Sequence, residues 1–392
     1  MPSATQGANV QTDSLKIAQV GLKGIPAKWG GIERYVEEIG KRLAQRGHEI
    51  IVFASNWYCK DYPDNFYEGM RIVRVPSVHL LSTDALSNAL LSLGRIIHES
   101  FDIVHLHGYA SYYCIPVLKR AGKKTVVTTH GMESGWDNPK YGNIAKRIIQ
   151  NAFRIGIRQA HCVTTVADHL QKRINDQYQI NALVTYSGID NVSSASPHLI
   201  SKAYGLLGND YLLYLGRIDQ IKNIEWIVKL ANLVGRNIKI VIAGGPQDAS
   251  STAYYKNLKS MVNHDASCIF TGMVAGKLKT ELISNCLAFV TASQNEGLPV
   301  ALLEAAAMGK IPIASDIAAH KEVIDNGVSG FLFDKHDLDE LVKKVMYFVS
   351  MSKEERGRIS MNLKQQISTK FNWDRTTDLF ENAYQNIKNG KK

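Results

Sequence analysis

Tyr211-Leu212-Leu213-Tyr214-Leu215-Gly216-Arg217-Ile218-Asp219-Gln220-Ile221-Lys222-Asn223 is the stretch that decides the fold. Five largely apolar residues run into a glycine, and a polar turn then opens a helical pattern that continues through Leu233. That is how the first half of a βαβ unit reads. Upstream, short apolar β-branched runs recur at Lys16 to Gly21, Glu49 to Ala54, Arg71 to Pro76, Asp102 to Leu106, Thr125 to Thr129 and Cys162 to Val166, with helical patterns between them. From Tyr211 the rhythm restarts, and it continues at Ile238 to Ala243, Ser267 to Thr271, Ala288 to Thr291 and Ile311 to Ala314. Alternation of this kind implies parallel sheets covered by helices. The Ser-, Pro- and Asn-rich segment Asn191 to Lys202 between the two series reads as a linker. The expectation is an α/β protein of two doubly wound domains, with a ligand crevice at the carboxyl ends of both sheets.

Length agrees, since 392 residues suit two domains that each bury a core. The expected boundaries are a flexible segment 1–15, a first domain 16–195, a second domain 196–371, and a C-terminal helix 372–392 packing back on the first domain. The region from Asp337 to Lys388 reads as helical throughout. The five cysteines are scattered and show no C-x-x-C spacing, which argues against a disulfide framework or a zinc site. The opening Met1 to Leu15 is polar, and no apolar run approaches the roughly 18 residues of a membrane span. A cytoplasmic protein, peripheral at most on the inner face of the plasma membrane, is expected.

The net charge of +10 invites nucleic acid, an anionic membrane surface or phosphorylated small molecules. Residues 1–190 hold 22 Lys and Arg against 16 Asp and Glu, so the first half is the more basic. No zinc-finger spacing, RNP-like strand or long basic tail supports nucleic acid. The helical pattern Asn143 to Arg158 interleaves Ile144, Ile148, Phe153, Ile155 and Ile157 with Lys146, Arg147, Arg154 and Arg158. It suits an anionic membrane surface, and equally a helix with a solvated basic face.

The chemistry concentrates in four places. In Glu296-Gly297-Leu298-Pro299-Val300-Ala301-Leu302-Leu303-Glu304, two glutamates flank an apolar stretch. Pro299 suits a first helical position, which leaves Glu296 in the preceding loop and Glu304 on the second turn, both within reach of one ligand. A lone ionised Glu in an apolar helix is costly, so Glu304 answers hydroxyls or a cation, unless it simply lies exposed at a domain edge. In the opening stretch, Arg217 offers a fork for a phosphate and Lys222 a compact charge near a helix N-terminus, where it opposes the macrodipole unless an anion joins it. Gly30 and Gly31, just before the helix Ile32 to Ala44, let backbone approach an anion at its positive end, or serve only to reverse the chain. This loop is not G-x-G-x-x-G, and no acidic residue ends the second strand as a dinucleotide fold would want. Finally, Thr128-Thr129-His130-Gly131-Met132 puts His130 at a strand's carboxyl end as a polar contact to substrate or a structural histidine. His105 and His107 share one strand face but lack a nearby third metal ligand, and Asp337-Leu338-Asp339 reads as helix N-terminal acid rather than a metal site.

Together these residues resemble a retaining glycosyltransferase of the GT-B fold, the large family 4 group. The resemblance spans residues 16–388 and is carried by E-x7-E (Glu296, Glu304), G-R-x4-K (Gly216, Arg217, Lys222), the glycine pair Gly30-Gly31, and T-H-G with His130. The opening G-L-K-G-I-P-A-x-x-G-G-x-E is similar to a rhamnosyltransferase-like subgroup acting in surface polysaccharide assembly, such as lipopolysaccharide or capsule. The resemblance implies two Rossmann-like domains facing a cleft, the first for the acceptor and the second for a nucleotide sugar. It implies that Glu296 contacts the donor sugar and Glu304 the ribose, and that Arg217 and Lys222 hold the diphosphate. It further implies that Met273 and Val274 bind the base, that Gly297, Leu298 and Val300 line the donor site, and that His130 lies over the sugar. The common E-G-F-G is here E-G-L-P, so Pro299 removes one backbone donor, and the interdomain turn reads Tyr186-Ser187-Gly188-Ile189-Asp190.

The function expected is transfer of a hexose, with retention, from a nucleoside diphosphate sugar, UDP- or dTDP-linked, to a carbohydrate acceptor, lipid-linked in a bacterial setting. No cofactor or bound metal is expected. A front-face displacement, in which the leaving phosphate takes the acceptor proton, agrees with the lack of an obvious nucleophile pairing. The competing readings are a GT-B epimerase or phosphorylase and, in another class, a sugar-binding protein without catalysis.

Overall fold

The computed structural model describes residues 13–28, 30–78, 84–131, 142–190, 194–234, 238–246, 249–264 and 267–391. Most of the expected flexible segment 1–15, the linker residues 191–193 and Met132 of the T-H-G segment lie outside the described residues. The first sheet contains β1 (Lys16–Val20), β2 (Glu49–Ser55), β3 (Phe66–Tyr67), β4 (Met70–Val75), β5 (Ile103–Leu106), β6 (Thr125–Thr129), β7 (Cys162–Thr165) and β8 (Leu183–Val184). The second contains β9 (Tyr211–Leu215), β10 (Lys239–Ala243), β11 (Cys268–Gly272), β12 (Ala288–Thr291), β13 (Pro312–Ser315) and β14 (Phe331–Phe333). Their strand orders are β3-β4-β2-β1-β5-β6-β7-β8 and β11-β10-β9-β12-β13-β14.

Each sheet turns back on its own order beside its first strand. β1 lies between β2 and β5, and β9 between β10 and β12, all in parallel register. Loops leaving β1 and β9 therefore emerge where doubly wound sheets open a crevice. Only the two-residue β3 runs antiparallel among the described pairings. Near-continuous burial along β2, β9 and β10 is what a strand covered on both faces requires, and it explains why the apolar runs do not alternate. In the second sheet Leu212, Tyr214, Ile240, Ile242, Val290 and Ile313 form a core with Ile224, Ile227, Val228 and Leu230 of helix Ile224–Val234.

The chain divides into two compact units. One comprises Met1–Val127, Ile155–Val163 and Thr377–Lys392, and the other Thr128–Arg154 and Thr164–Thr376. Within the first, the chain from Thr377 onward is fastened by Phe380 against Tyr35, Tyr384 Oη to His105 Nδ1 at 2.7 Å, and Arg46 to Asp378 and Glu381 at 2.7 Å each. His48 accepts from the Leu15 N–H at Nδ1, so its Nε2 carries the proton toward Glu381. Within the second unit, Glu322 gathers four groups: the His169 N–H at 2.8 Å, His169 Nδ1 at 3.1 Å, Tyr186 Oη at 3.2 Å and Lys370 Nζ at 2.8 Å.

The expected continuous C-terminal helix is three helices, Leu338–Ser350, Lys353–Lys370 and Trp373–Lys388. Met351 is extended, and Ser352 then starts a new helix through a reciprocal capping box with Glu355, a local competitor that apolar periodicity does not show. Asp337 is the N-cap of the first of these helices, accepting from the Glu340 N–H at 2.9 Å, so the D-x-D does structural work.

Candidate active site

The carboxyl ends of β9, β10 and β11 come together through glycines. Gly216 N–H donates to the Ala243 carbonyl at 3.0 Å, and Gly244 N–H to the Gly272 carbonyl at 2.9 Å. A Cβ on Gly244 would stand 1.9 Å from the Gly216 carbonyl oxygen, so only glycine permits this approach. The floor so formed carries Arg217, which is exposed and has no carboxylate partner among the described residues. Tyr214 Oη donates to the Arg217 carbonyl at 2.9 Å and fixes the backbone behind it.

Lys222 does not open the long helix, contrary to the sequence expectation. It ends a single 3-10 turn, Gln220–Lys222, Asn223 takes the left-handed conformation at φ 49°, and the α-helix begins at Ile224. The anion that meets Lys222 is Glu296: Nζ bonds Oε1, with the two side chains 13% and 15% exposed. Ser293 Oγ donates to the same oxygen at 2.9 Å. Burial alone would push the Glu296 carboxyl up, but the Lys222 ammonium and the Ser293 hydroxyl outweigh it and hold the group below the usual carboxylate range.

Beneath this pair lies a polar chain that spacing does not announce. Ser315 Oγ donates to the Ser293 carbonyl at 2.6 Å, and His320 Nδ1 donates to the Ser315 carbonyl at 2.7 Å. His320 is fully buried and its Nε2 has no hydrogen-bond partner. A proton added there would find no acceptor, and burial lowers this imidazole to about 4. Ser293, Ser315 and His320 are the residues sequence reasoning missed. Their only advance signal is polarity at the carboxyl ends of β12 and β13.

Gly297 brings two separate motifs together. A Cβ on it would lie 1.8 Å from the His130 carbonyl oxygen and 3.1 Å from Gly131 Cα, so the T-H-G and E-G-L segments touch backbone to backbone. Burial lowers the His130 imidazole to about 3, and the ring is neutral at pH 7 although the residue keeps some exposed surface. Pro299 is the N-cap of helix Val300–Ala307 rather than its first residue, because its ψ of 80° is not helical. Leu298 is buried and Val300 half-buried. Glu304 does fall on the helix's second turn, but its carboxylate pairs with Lys279 Nζ at 2.6 Å, not with Lys222. In this structure the two glutamates therefore have separate lysines. Met273 is exposed, and its side chain packs on Gly245, where a Cβ would meet Cγ at 2.7 Å; Val274 is half-exposed.

Gly30 and Gly31 belong to the first unit. Helix Gly31–Gln45 begins at Gly31, and Gly30 has φ 102°. The Glu33 carboxylate lies against Gly30, where a Cβ would stand 2.1 Å from Oε2. Glu33 also accepts from the Lys23 N–H at 3.1 Å, and Glu37 from the Ala27 N–H at 2.6 Å. The chain's own carboxylates thus occupy this loop. The strand histidines are equally engaged, His105 with Tyr384 and His107 Nε2 with Gln19 Oε1 at 2.7 Å. No cluster that could hold a metal ion occurs among the described residues.

Arg217, Lys222, Glu296, Gly297, Leu298, Val300 and the His130 backbone thus lie in one unit, with Glu304 one turn along the helix. Comparison with known proteins gives this geometry a class. Residues 199–366 match the family described as Glycosyl transferases group 1, and residues 29–191 match Glycosyltransferase Family 4. In fold, the chain is similar to sucrose-phosphate synthase from Thermosynechococcus elongatus, with a TM-score of 0.81 at 16% identity over 96% of this chain and 99% of that one. It is likewise similar to Anabaena HepE in complex with UDP and glucose, with a TM-score of 0.77 at 16% identity over 94% of this chain and 99% of that one. The protein is a glycosyltransferase of the GT-B fold. Within that class it belongs to the family 4 type. Relatives in sequence include the N-acetyl-alpha-D-glucosaminyl L-malate synthase of Bacillus anthracis, 24% identical over 95% of this chain and 99% of that protein. Another is a GDP-mannose-dependent phosphatidylinositol monomannoside mannosyltransferase of Mycolicibacterium smegmatis, 24% identical over 82% of this chain and 86% of that protein.

Proposed function

We propose that this glycosyltransferase moves a hexose, with retention of anomeric configuration and without a bound metal, from a nucleoside diphosphate sugar to a lipid-linked saccharide in bacterial surface polysaccharide synthesis. The observation that carries the donor half is the Lys222–Glu296 pair beside the unpaired Arg217. A diphosphate arriving at Arg217 competes with Glu296 for the Lys222 ammonium. As Lys222 turns to phosphate, Glu296 is released toward the sugar hydroxyls while Ser293 keeps it oriented. Two cations then face the oxygen on which charge develops as the glycosidic bond breaks, which is where electrostatic stabilisation acts. The leaving phosphate itself takes the acceptor proton, so neutral His130 need not act as a base.

The lipid-linked acceptor rests on weaker support: a relative whose substrate is a phosphatidylinositol mannoside, and exposed Ile144 and Ile148 beside Lys146 and Arg147 on helix Asn143–Gln159. No helix among the described residues is long and apolar enough to cross a membrane, so the contact proposed is peripheral and electrostatic. Equal flotation with neutral and anionic liposomes would remove it.

The donor is tested by a thermal-shift panel of nucleoside diphosphates and their sugars, UDP- and dTDP-linked first. A ligand at 100 times its Kd stabilises by about 2.7 kcal/mol, and silence across the panel would sink the reading. Product analysis with and without chelator then reads anomeric outcome and metal dependence.

A further inference from the structure

We infer that a cavity of about 320 Å3 beside Glu296 is a subsite for an anionic group, a carboxylate or a phosphate carried by one of the two substrates. The inference rests on the proposed transfer reaction only in assigning the anion to a substrate. The cavity lies within the second unit and is lined by His169 and Arg173 of helix Asp168–Tyr178, by Lys335 just after β14, and by Glu296 and Asp316.

Its charge balance favours an anion. The two carboxylates in the wall each have a cation of their own: Glu296 has Lys222, and Asp316 has Lys321 at 2.7 Å. Counting those partners, four cations stand against two carboxylates, and the surplus is Arg173 and Lys335. The nearby Glu322 does not cancel it, because its two oxygens already accept from His169, Tyr186 and Lys370. Glu322 instead fixes the His169 ring through Nδ1 and leaves Nε2 for a ligand. A planar guanidinium and an ammonium lining one hollow suit a carboxylate or phosphate, Arg through a two-point fork and Lys as a point charge. The volume is at the lower end for small-molecule pockets and admits a charged group with part of a sugar ring. Because Glu296 forms part of the wall, an anion held here lies beside the group proposed to orient the donor sugar.

The experiment uses the full chain and inorganic phosphate as the probe, titrated at constant ionic strength with saturating UDP present to occupy the Arg217–Lys222 site. Binding is read by calorimetry in the wild type and in Arg173→Gln, Lys335→Gln and Arg217→Gln. Arg173 and Lys335 are only partly buried, so both glutamine variants should fold, and their melting temperatures check this. Phosphate Kd is expected to rise at least tenfold in Arg173→Gln and in Lys335→Gln and to stay within threefold in Arg217→Gln. No saturable phosphate binding in the wild type overturns the inference, as does binding lost in Arg217→Gln but kept in the other two. A second arm assigns the source: an anion borne by the donor makes phosphate compete with UDP-glucuronate but not with UDP-glucose, whereas an anion borne by the acceptor lets phosphate bind alongside both. If UDP does not bind at all, the donor reading fails on that result alone, and the phosphate titration still decides the subsite.

Discussion

The loops leaving β1 and β9 occupy the same position in two sheets of the same winding, yet they are finished with opposite charge. After β1 the chain turns through Gly24 and Gly30, and carboxylates from its own helix, Glu33 and Glu37, accept the backbone N–H groups of Lys23 and Ala27. After β9 the chain turns through Gly216 and presents Arg217 without a partner and Lys222 on a carboxylate from elsewhere. The first loop is closed internally. The second is held by an interaction that an arriving anion can replace. Topology therefore supplies two equivalent openings, and side-chain electrostatics decides which one is left for a diphosphate.

The sharpest way to break this comparison is at Glu296. Glu296→Gln keeps the shape and the Ser293 contact but removes the charge that orients the sugar and partners Lys222. We expect transfer to fall by at least about 10³-fold, the scale seen when a group aimed at the transition state is lost, with the fold intact by circular dichroism. Wild-type turnover in this variant would end the assignment. Next in size come the two cations. Arg217→Ala should weaken nucleoside diphosphate binding by about 10- to 100-fold, as expected for a charge-assisted hydrogen bond, with little change in melting temperature because the side chain is exposed and unpaired. Lys222→Ala should weaken binding similarly and also destabilise the fold by about 3 kcal/mol, because it leaves Glu296 buried without its partner. Equal stability losses in the two variants would show that the β9 loop is no more open than the β1 loop.

The pH dependence sharpens the picture of what lies beneath the site. His320 has its imidazole lowered to about 4, so between pH 6.5 and 4 the unfolded chain binds a proton that the folded chain refuses. Stability is therefore whole above pH 6.5 and falls as the pH drops toward 4, by up to about 3 kcal/mol from this residue. His320→Asn should flatten that slope in denaturant melts taken at several pH values. His130 adds a slope of the same sign reaching further down, toward about 3, so only the difference between wild type and His320→Asn reports on His320. An unchanged difference across the window would place the proton elsewhere.

Much of this architecture was legible in the residues. β6 falls on Thr125–Thr129 as read, and the restart at Tyr211 marks β9, because strands buried on both faces announce themselves as uninterrupted apolar runs. The grouping of Arg217, Lys222 and Glu296 could be anticipated because each stands just past a strand's carboxyl end. What could not be read is how the charges are shared. Lys279 takes Glu304, Ser293 and Lys222 share one oxygen of Glu296, and Glu33 folds back on Gly30. These choices depend on side-chain directions between segments far apart in the chain, where spacing carries no information. Helix ends failed for a related reason, since the Ser352 capping box interrupts a pattern that apolar periodicity continues across.

The smallest effect is expected where the loop is already closed. Glu33→Ala removes the acceptor of the Lys23 N–H and an acidic charge from the first turn of helix Gly31–Gln45. The lost hydrogen bond and the lost dipole interaction together cost about 1 to 3 kcal/mol, read as a lowered denaturation midpoint. UDP affinity should stay within about threefold, since Glu33 is proposed to serve the loop and not the ligand. The alternative is that Gly30 and Gly31 themselves receive an anion at the helix N-terminus. In that case Glu33 is a competitor for the same N–H groups, and removing it should tighten a phosphate-bearing ligand by about tenfold while stability still falls. The sign of the affinity change therefore separates the two roles of one loop, and a tightened complex would mean that both openings, not one, are addressed by the donor.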